Sequence, residues 1–139
     1  MNQLKILLIE DDKIETMKLE RAMSTLAYEH EVVTAQNGEI ALDYLKETDQ
    51  LPSIIFLDLN MPKINGIEFL KLLKKDDRLR YLPTVILTTS DNRKDVLECY
   101  KTGVAGYILK PLKYDAYVSK IEKVVNYWSE NVLITDDAS

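Results

Sequence analysis

Six polar side chains hold the chemistry of this 139-residue chain: Glu10, Asp11 and Asp12 in a row, then Asp58, Thr88 and Lys110 at long intervals. Carboxylates gathered at one place repel, so one must keep a proton or a cation must join them. A hard divalent ion with oxygen ligands answers that need, and Mg2+ in particular keeps waters and pairs a few carboxylates with a phosphate. A carboxylate is also a nucleophile that forms an aspartyl phosphate. Phosphoryl transfer asks a protein for positioning and charge neutralisation, which Mg2+, the Lys110 ammonium and the Thr88 hydroxyl could supply. Taken alone, Asp58 reads equally well as a loop aspartate capping a turn.

The elements that must bring these residues together are short. Ile54 to Leu57 is an unbroken apolar run between Pro52 and Pro62, the pattern of a strand buried on both faces, and Asp58 stands at its carboxyl end. Leu4 to Ile9 repeats the pattern and runs into Glu10, Asp11 and Asp12. Glu31 to Ala35 is a β-branched strand ended by Asn37-Gly38. Thr84 to Leu87 runs into Thr88-Thr89-Ser90, and Gly106 to Leu109 runs into Lys110-Pro111.

Helical patterns separate the strands. Leu19, Ala22, Met23 and Leu26 share one face behind a cap at Asp12, a role that competes with metal ligation for that residue. The expected inner stripes are Ile40, Ala41, Tyr44 and Leu45, then Gly66, Ile67, Leu70 and Leu73, then Val96, Leu97 and Tyr100 behind a cap at Asp91 or Asn92, with Gly103 closing that helix. The last helix, about Tyr114 to Asn131, carries Tyr117, Ile121, Val124, Val125 and Trp128. Strands alternating with helices predict an α/β fold with a parallel sheet covered on both faces. In open sheets of this class, ligands collect at the carboxyl ends of the strands, where all of the polar residues above emerge.

Composition sets the outer bounds. The length and a hydrophobic content of 46% suit one well-buried core, so residues 1–131 are expected as one domain and 132–139 as a short frayed tail. Eighteen basic residues against 23 acidic ones give a net charge of −5, which offers no patch for nucleic acid. The one cysteine, Cys99, excludes an internal disulfide and reads as a small semi-buried helix residue. No apolar stretch is long enough for a membrane span or a signal-peptide core, and a cytoplasmic location is expected. His30, the only histidine, is expected at the surface.

As an ordered set these residues resemble the receiver domains of two-component response regulators, over nearly the whole chain. The matching positions are Glu10-Asp11, the segment Leu57-Asp58-Leu59-Asn60-Met61-Pro62 with Asn65-Gly66 behind it, Thr88, and Tyr107 with Lys110-Pro111. The resemblance implies a flavodoxin-like receiver fold, five parallel strands in the order 2-1-3-4-5 with five helices. It implies Asp58 as phosphoacceptor, and Mg2+ held by Asp11, Asp58 and the Asn60 backbone carbonyl, with Glu10 acting through water. Lys110 would pair with Asp58 or its phosphoryl group, from a cis Lys110–Pro111 bond. Thr88 would bond a phosphoryl oxygen, with Tyr107 as the aromatic switch that follows it; without the resemblance, Tyr107 reads as a half-buried strand aromatic. Asn60 and Ser90 would modulate hydrolysis, and Thr89 would restrict access to Asp58.

Leu87-Thr88-Thr89-Ser90, Lys110-Pro111-Leu112 and Tyr127-Trp128 look more specifically like the small receivers that partner bacterial phytochromes and related hybrid histidine kinases. The expected reading is a stand-alone phosphoacceptor protein rather than an enzyme. A histidine kinase would be its donor, and a downstream protein or phosphotransfer protein its target. The fourth helix, fifth strand and last helix, with Tyr100, Tyr107, Tyr117 and Trp128, form the candidate contact surface, which would also serve a homodimer. A phosphatase using Asp58 as covalent nucleophile is the alternative from another class, but such chemistry often wants a general acid two residues on, and Asn60 cannot donate that proton. A receiver fold kept only as a scaffold is the third.

Overall fold

Apolar runs too short for a helix and bounded by turn formers become the strands β1 (Lys5–Ile9), β2 (Glu31–Ala35), β3 (Ile54–Leu57), β4 (Thr84–Thr88) and β5 (Gly106–Leu109). Between and after them run α1 (Lys13–Ser24), α2 (Gly38–Glu47), α3 (Gly66–Lys75), α4 (Arg93–Thr102) and α5 (Tyr114–Ser129). The computed structural model describes residues 3–27, 29–61 and 64–136. Every strand pairing is parallel, and the sheet order is β2-β1-β3-β4-β5, as expected.

Side chains alternate across a pleated strand, so each strand feeds two cores. Leu7, Ile9, Ile55, Leu57 and Ile86 pack with α2, α3 and α4; Ile6, Leu8, Ile54, Phe56, Val85 and Leu87 pack with α1 and α5. Burial on both faces is why Ile6 to Ile9 of β1 and the whole of β3 read as unbroken apolar runs. Four helices, α1 to α4, start where a side chain satisfies their first free amides, whereas α5 begins after Lys113 with no side-chain cap. Asp12 accepts from Ile14 N, Asn37 from Ile40 N, Asn65 from Glu68 N, and Asn92 from Lys94 N and Asp95 N. Gly103 closes α4 at φ 112°, the left-handed conformation that a glycine adopts without penalty.

Several expected faces are rotated. On α2, Gly38, Ala41, Leu42 and Leu45 are buried at i, i+3, i+4 and i+7, while Ile40 lies on the flank, 46% exposed. On α4 the inward residue is Cys99, fully buried, with Val96 three residues earlier half-buried; Leu97 and Tyr100 point outward. Phe69, not anticipated, is buried on α3 beside Leu70 and Leu73, and Ile67 is half-buried. α5 ends at Ser129, and the segment after it does not simply fray: Leu133 is buried in the α1–α5 core, and its N–H donates to Asp136 Oδ2 at 2.8 Å. His30 is not a plain surface residue, because its Nδ1 accepts the Leu4 N–H at 2.9 Å in a half-buried position. Pro62, expected to help set the loop after β3, lies outside the described residues, as do Asp137, Ala138 and Ser139 of the tail.

Candidate functional site

β1 and β3 are neighbours with Ile9 opposite Leu57, so the residues that follow each strand leave the sheet side by side. The backbone fixes both positions: Asp58 N–H donates to Ile9 O at 3.1 Å and Glu10 N–H to Ala35 O at 3.0 Å. One carboxylate oxygen from each of Glu10, Asp11 and Asp58 lies within 4.8 Å of the other two. Glu10 and Asp58 are buried while Asp11 is exposed, so the cluster is open to solvent on one side only.

Gly66 holds the loop after Asp58 against the sheet. A Cβ on this residue would stand 2.7 Å from both Asp58 O and Leu59 Cα, so only glycine lets the start of α3 approach this closely. Gly66 N–H donates to Leu59 O at 3.0 Å, which closes the loop around Asn60 and Met61.

Lys110 reaches the cluster from β5. Its N–H donates to Thr88 O at 2.8 Å, extending the β4–β5 ladder by one residue. The side chain crosses the sheet edge toward Glu10, and the Lys110–Pro111 peptide is trans, correcting the expected cis bond. The ammonium is almost fully buried and does not pair with Asp58. It donates to Glu10 Oε1 at 2.7 Å and lies 3.4 Å from Glu15 Oε2.

Burial pushes the Glu10 carboxyl up to about 7, against the pull of Lys110 and with the help of the Asp58 charge. Burial also raises Asp58, while Lys110, a hydrogen bond with Glu10 and the Asn60 backbone act in the opposite direction. Burial works against the Lys110 charge, but Glu10, Glu15 and Asp58 together hold the ammonium above its usual range. Packed carboxyls whose protons are hard to remove are a donor set short of positive charge. Oxygen ligands in that state fit a hard divalent cation, and Glu10, Asp11 and Asp58 are the residues that would hold it.

Thr88 is fully buried at the end of β4, and its Oγ1 accepts the Ser90 N–H at 3.3 Å. Ser90 Oγ lies 3.3 Å from Asp95 Oδ2, and Thr89 is exposed. Tyr107 packs half-buried against the α2–α4 core and donates its hydroxyl hydrogen to Ser90 O at 2.7 Å. Asn60 is exposed, on a cleft of about 420 Å³ that Asp11, Met61 and Asp95 also line. Another cleft, about 510 Å³, lies at the far end of the sheet around Glu20 and His30, away from the carboxylates. Asp12 caps α1 and is not among the clustered acids. The residue that sequence reading missed is Glu15, whose spacing from Asp12 is that of an ordinary capping pair.

Residues 6–122 match the response regulator receiver domain. The chain belongs to this family. It is 35% identical over 127 residues to the probable methanogenesis regulatory protein FilR2 of Methanothrix harundinacea, covering 88% of this chain and 82% of that protein. Response regulator Rcp1 of Synechocystis is 31% identical over 93% of this chain and 91% of its own length. Among solved structures, the phosphorylated cyanobacterial phytochrome response regulator RcpA superposes with a TM-score of 0.89 at 33% identity, covering 95% of this chain and 99% of that one. The Mn2+-bound form of Rcp1 gives a TM-score of 0.84 at 30% identity, covering 93% and 96%. The receiver is therefore a component of two-component signalling, and no helix among its described residues is long and apolar enough to cross a membrane.

Proposed function

We propose that Asp58 accepts a phosphoryl group from the phosphohistidine of a histidine kinase. The observation that carries this reading is the convergence of Glu10, Asp11 and Asp58 within 4.8 Å beside a buried lysine, at the carboxyl edge of the sheet. An Asp58 carboxylate oxygen attacks phosphorus, the P–N bond breaks as the new P–O bond forms, and the imidazole keeps the electron pair. Asp11, Asp58 and the Asn60 backbone carbonyl would hold Mg2+, with Glu10 acting through water, and the bound ion would neutralise charge on the phosphoryl oxygens. Lys110 gives one ammonium hydrogen bond to the transferred group, and the Thr88 hydroxyl gives another. Asn60 and Ser90 flank the acceptor and tune hydrolysis of the product.

The acquired charge biases a two-state equilibrium in the loop after β4 and in Tyr107. The α4–β5–α5 face passes that change to a downstream protein or a phosphotransfer protein, and serves a homodimer by the same surface. On this face Tyr100 is exposed and Trp128 half-buried, whereas Tyr117 belongs to the core and is not available to a partner. RcpA is a phytochrome response regulator, and on that likeness a kinase of phytochrome or hybrid type is the donor to test first. The receiver unit is read as residues 1–131 with the segment after α5 packed onto it through Leu133, acting in the cytoplasm.

Incubation with phosphoramidate and Mg2+ tests the acceptor. The intact mass should rise by one phosphoryl group in the wild-type protein and not in Asp58→Asn; labelling that survives the substitution sinks the assignment.

A further inference from the structure

Glu15 is an acid that capping does not explain. With Asp12 as the cap, Glu15 stands at the third helical position, from which a glutamate ordinarily reaches back to the cap's own N–H. That N–H is already donated to Glu10 Oε2 at 3.3 Å. Glu15 turns toward the acceptor site, with Oε2 3.4 Å from Lys110 Nζ and Oε1 3.6 Å from Lys18 Nζ. Its Oε2 is buried and accepts no hydrogen bond among the described residues, so charge alone compensates it. The Lys110 ammonium is thus shared between two acids, Glu10 and Glu15, neither of which is the acceptor. The lysine backbone is pinned to Thr88 O, so reaching Asp58 requires a change of side-chain rotamer, which a flexible four-carbon stem permits.

We infer that Glu15 is a positioning residue that holds Lys110 in its resting arrangement and competes with the phosphoryl group on Asp58 for it. The inference rests on the acceptor role proposed above. Glu15 touches no reacting atom and acts through the lysine. When the ammonium turns to a phosphoryl oxygen it gives up Glu15, whose other oxygen stays with Lys18. Lys18 in turn lies over the Tyr117 ring, 4.7 Å from its centroid, so the released carboxylate remains tied to α5. Removing the Glu15 charge lowers what must be broken and favours the phosphorylated state.

The test titrates phosphoramidate, at fixed Mg2+, against the full chain and reads the labelled fraction by intact mass. Glu15→Gln should reach half-maximal labelling at about one third of the wild-type donor concentration, the size of effect a partly screened ion pair gives. Glu15→Asp, which keeps the charge, should stay near wild type. In a Lys110→Met background Glu15→Gln should change nothing. The same shift in both backgrounds marks a merely structural role in α1 and overturns the inference, as does unchanged labelling in the wild-type background. A urea double-mutant cycle on the four proteins reads the pair without phosphorylation, and strictly additive costs also overturn it. No labelling of the wild-type protein overturns the acceptor role itself, and this inference with it.

Discussion

The Tyr107 hydroxyl donates a 2.7 Å hydrogen bond to the Ser90 carbonyl and so ties the edge strand β5 to the loop that follows Thr88. The same loop is held from beneath by Thr88 Oγ1, which accepts the Ser90 N–H. Ring and hydroxyl therefore grip one short segment from both sides.

Tyr107→Phe keeps the ring and removes this donor. The expected cost in urea unfolding is about 0.5–1 kcal/mol, the low end for a hydrogen bond, because water reaches this half-buried site. Limited proteolysis should cut the loop at Ser90–Asn92 faster in the variant. An unchanged unfolding midpoint together with an unchanged cleavage rate would show that the bond contributes nothing.

Gly66→Ala tests the close approach of α3 to the acceptor strand. The added Cβ would stand 2.7 Å from two backbone atoms, Asp58 O and Leu59 Cα, which cannot swing aside as a side-chain tip would. Stability should fall by about 1–3 kcal/mol, as for overpacking elsewhere. The phosphoramidate concentration for half-maximal labelling should rise too, since the displaced backbone is that of Asp58. A variant as stable and as readily labelled as wild type refutes the fit.

Glu10 makes metal-free stability depend on pH. Its carboxyl holds a proton to about pH 7 when folded, against 4.5 as the ordinary value for the unfolded chain, so the folded form binds more protons between those limits. Stability from this group is fully present below the unfolded value and is lost as pH rises through the folded one. The urea midpoint of the metal-free protein should therefore fall between about pH 5 and about pH 8, and Glu10→Gln should flatten the slope. Mg2+ should restore stability at the upper end, by neutralising the carboxylates as they ionise. An equal slope in the glutamine variant removes Glu10 as the cause.

Parallel pairing was legible from strands alternating with helices, and Glu10, Asp11 and Asp58 at strand ends from apolar runs that burial on both faces produces; the order that sets β1 beside β3 and so brings the three acids together came from the resemblance to receiver domains, because no local pattern specifies which strands are neighbours. Helix faces were less legible. Ile40 and Leu42 differ by little in hydropathy, and the face that turns inward, with Gly38 seated close to Ile64 and Phe69 and Leu42 buried, is set by tertiary packing. Leu133 was misplaced because the mixed polar and apolar residues after α5 carry no period, and its burial rests on tertiary packing in the core that α1 and α5 share. The partner of Lys110 was not legible either. Charge pattern says that a lysine meets acids, whereas the pairing with Glu10 and Glu15 rather than Asp58 is a matter of tertiary placement and side-chain rotamer.

Glu10 and Lys110, which meet at 2.7 Å, are separated by 100 positions in the chain. Synthesis runs from the amino end, so Glu10, Asp11 and Asp58 are joined to the chain before Lys110. The ammonium that compensates Glu10 is thus the last charged group of the site to be made.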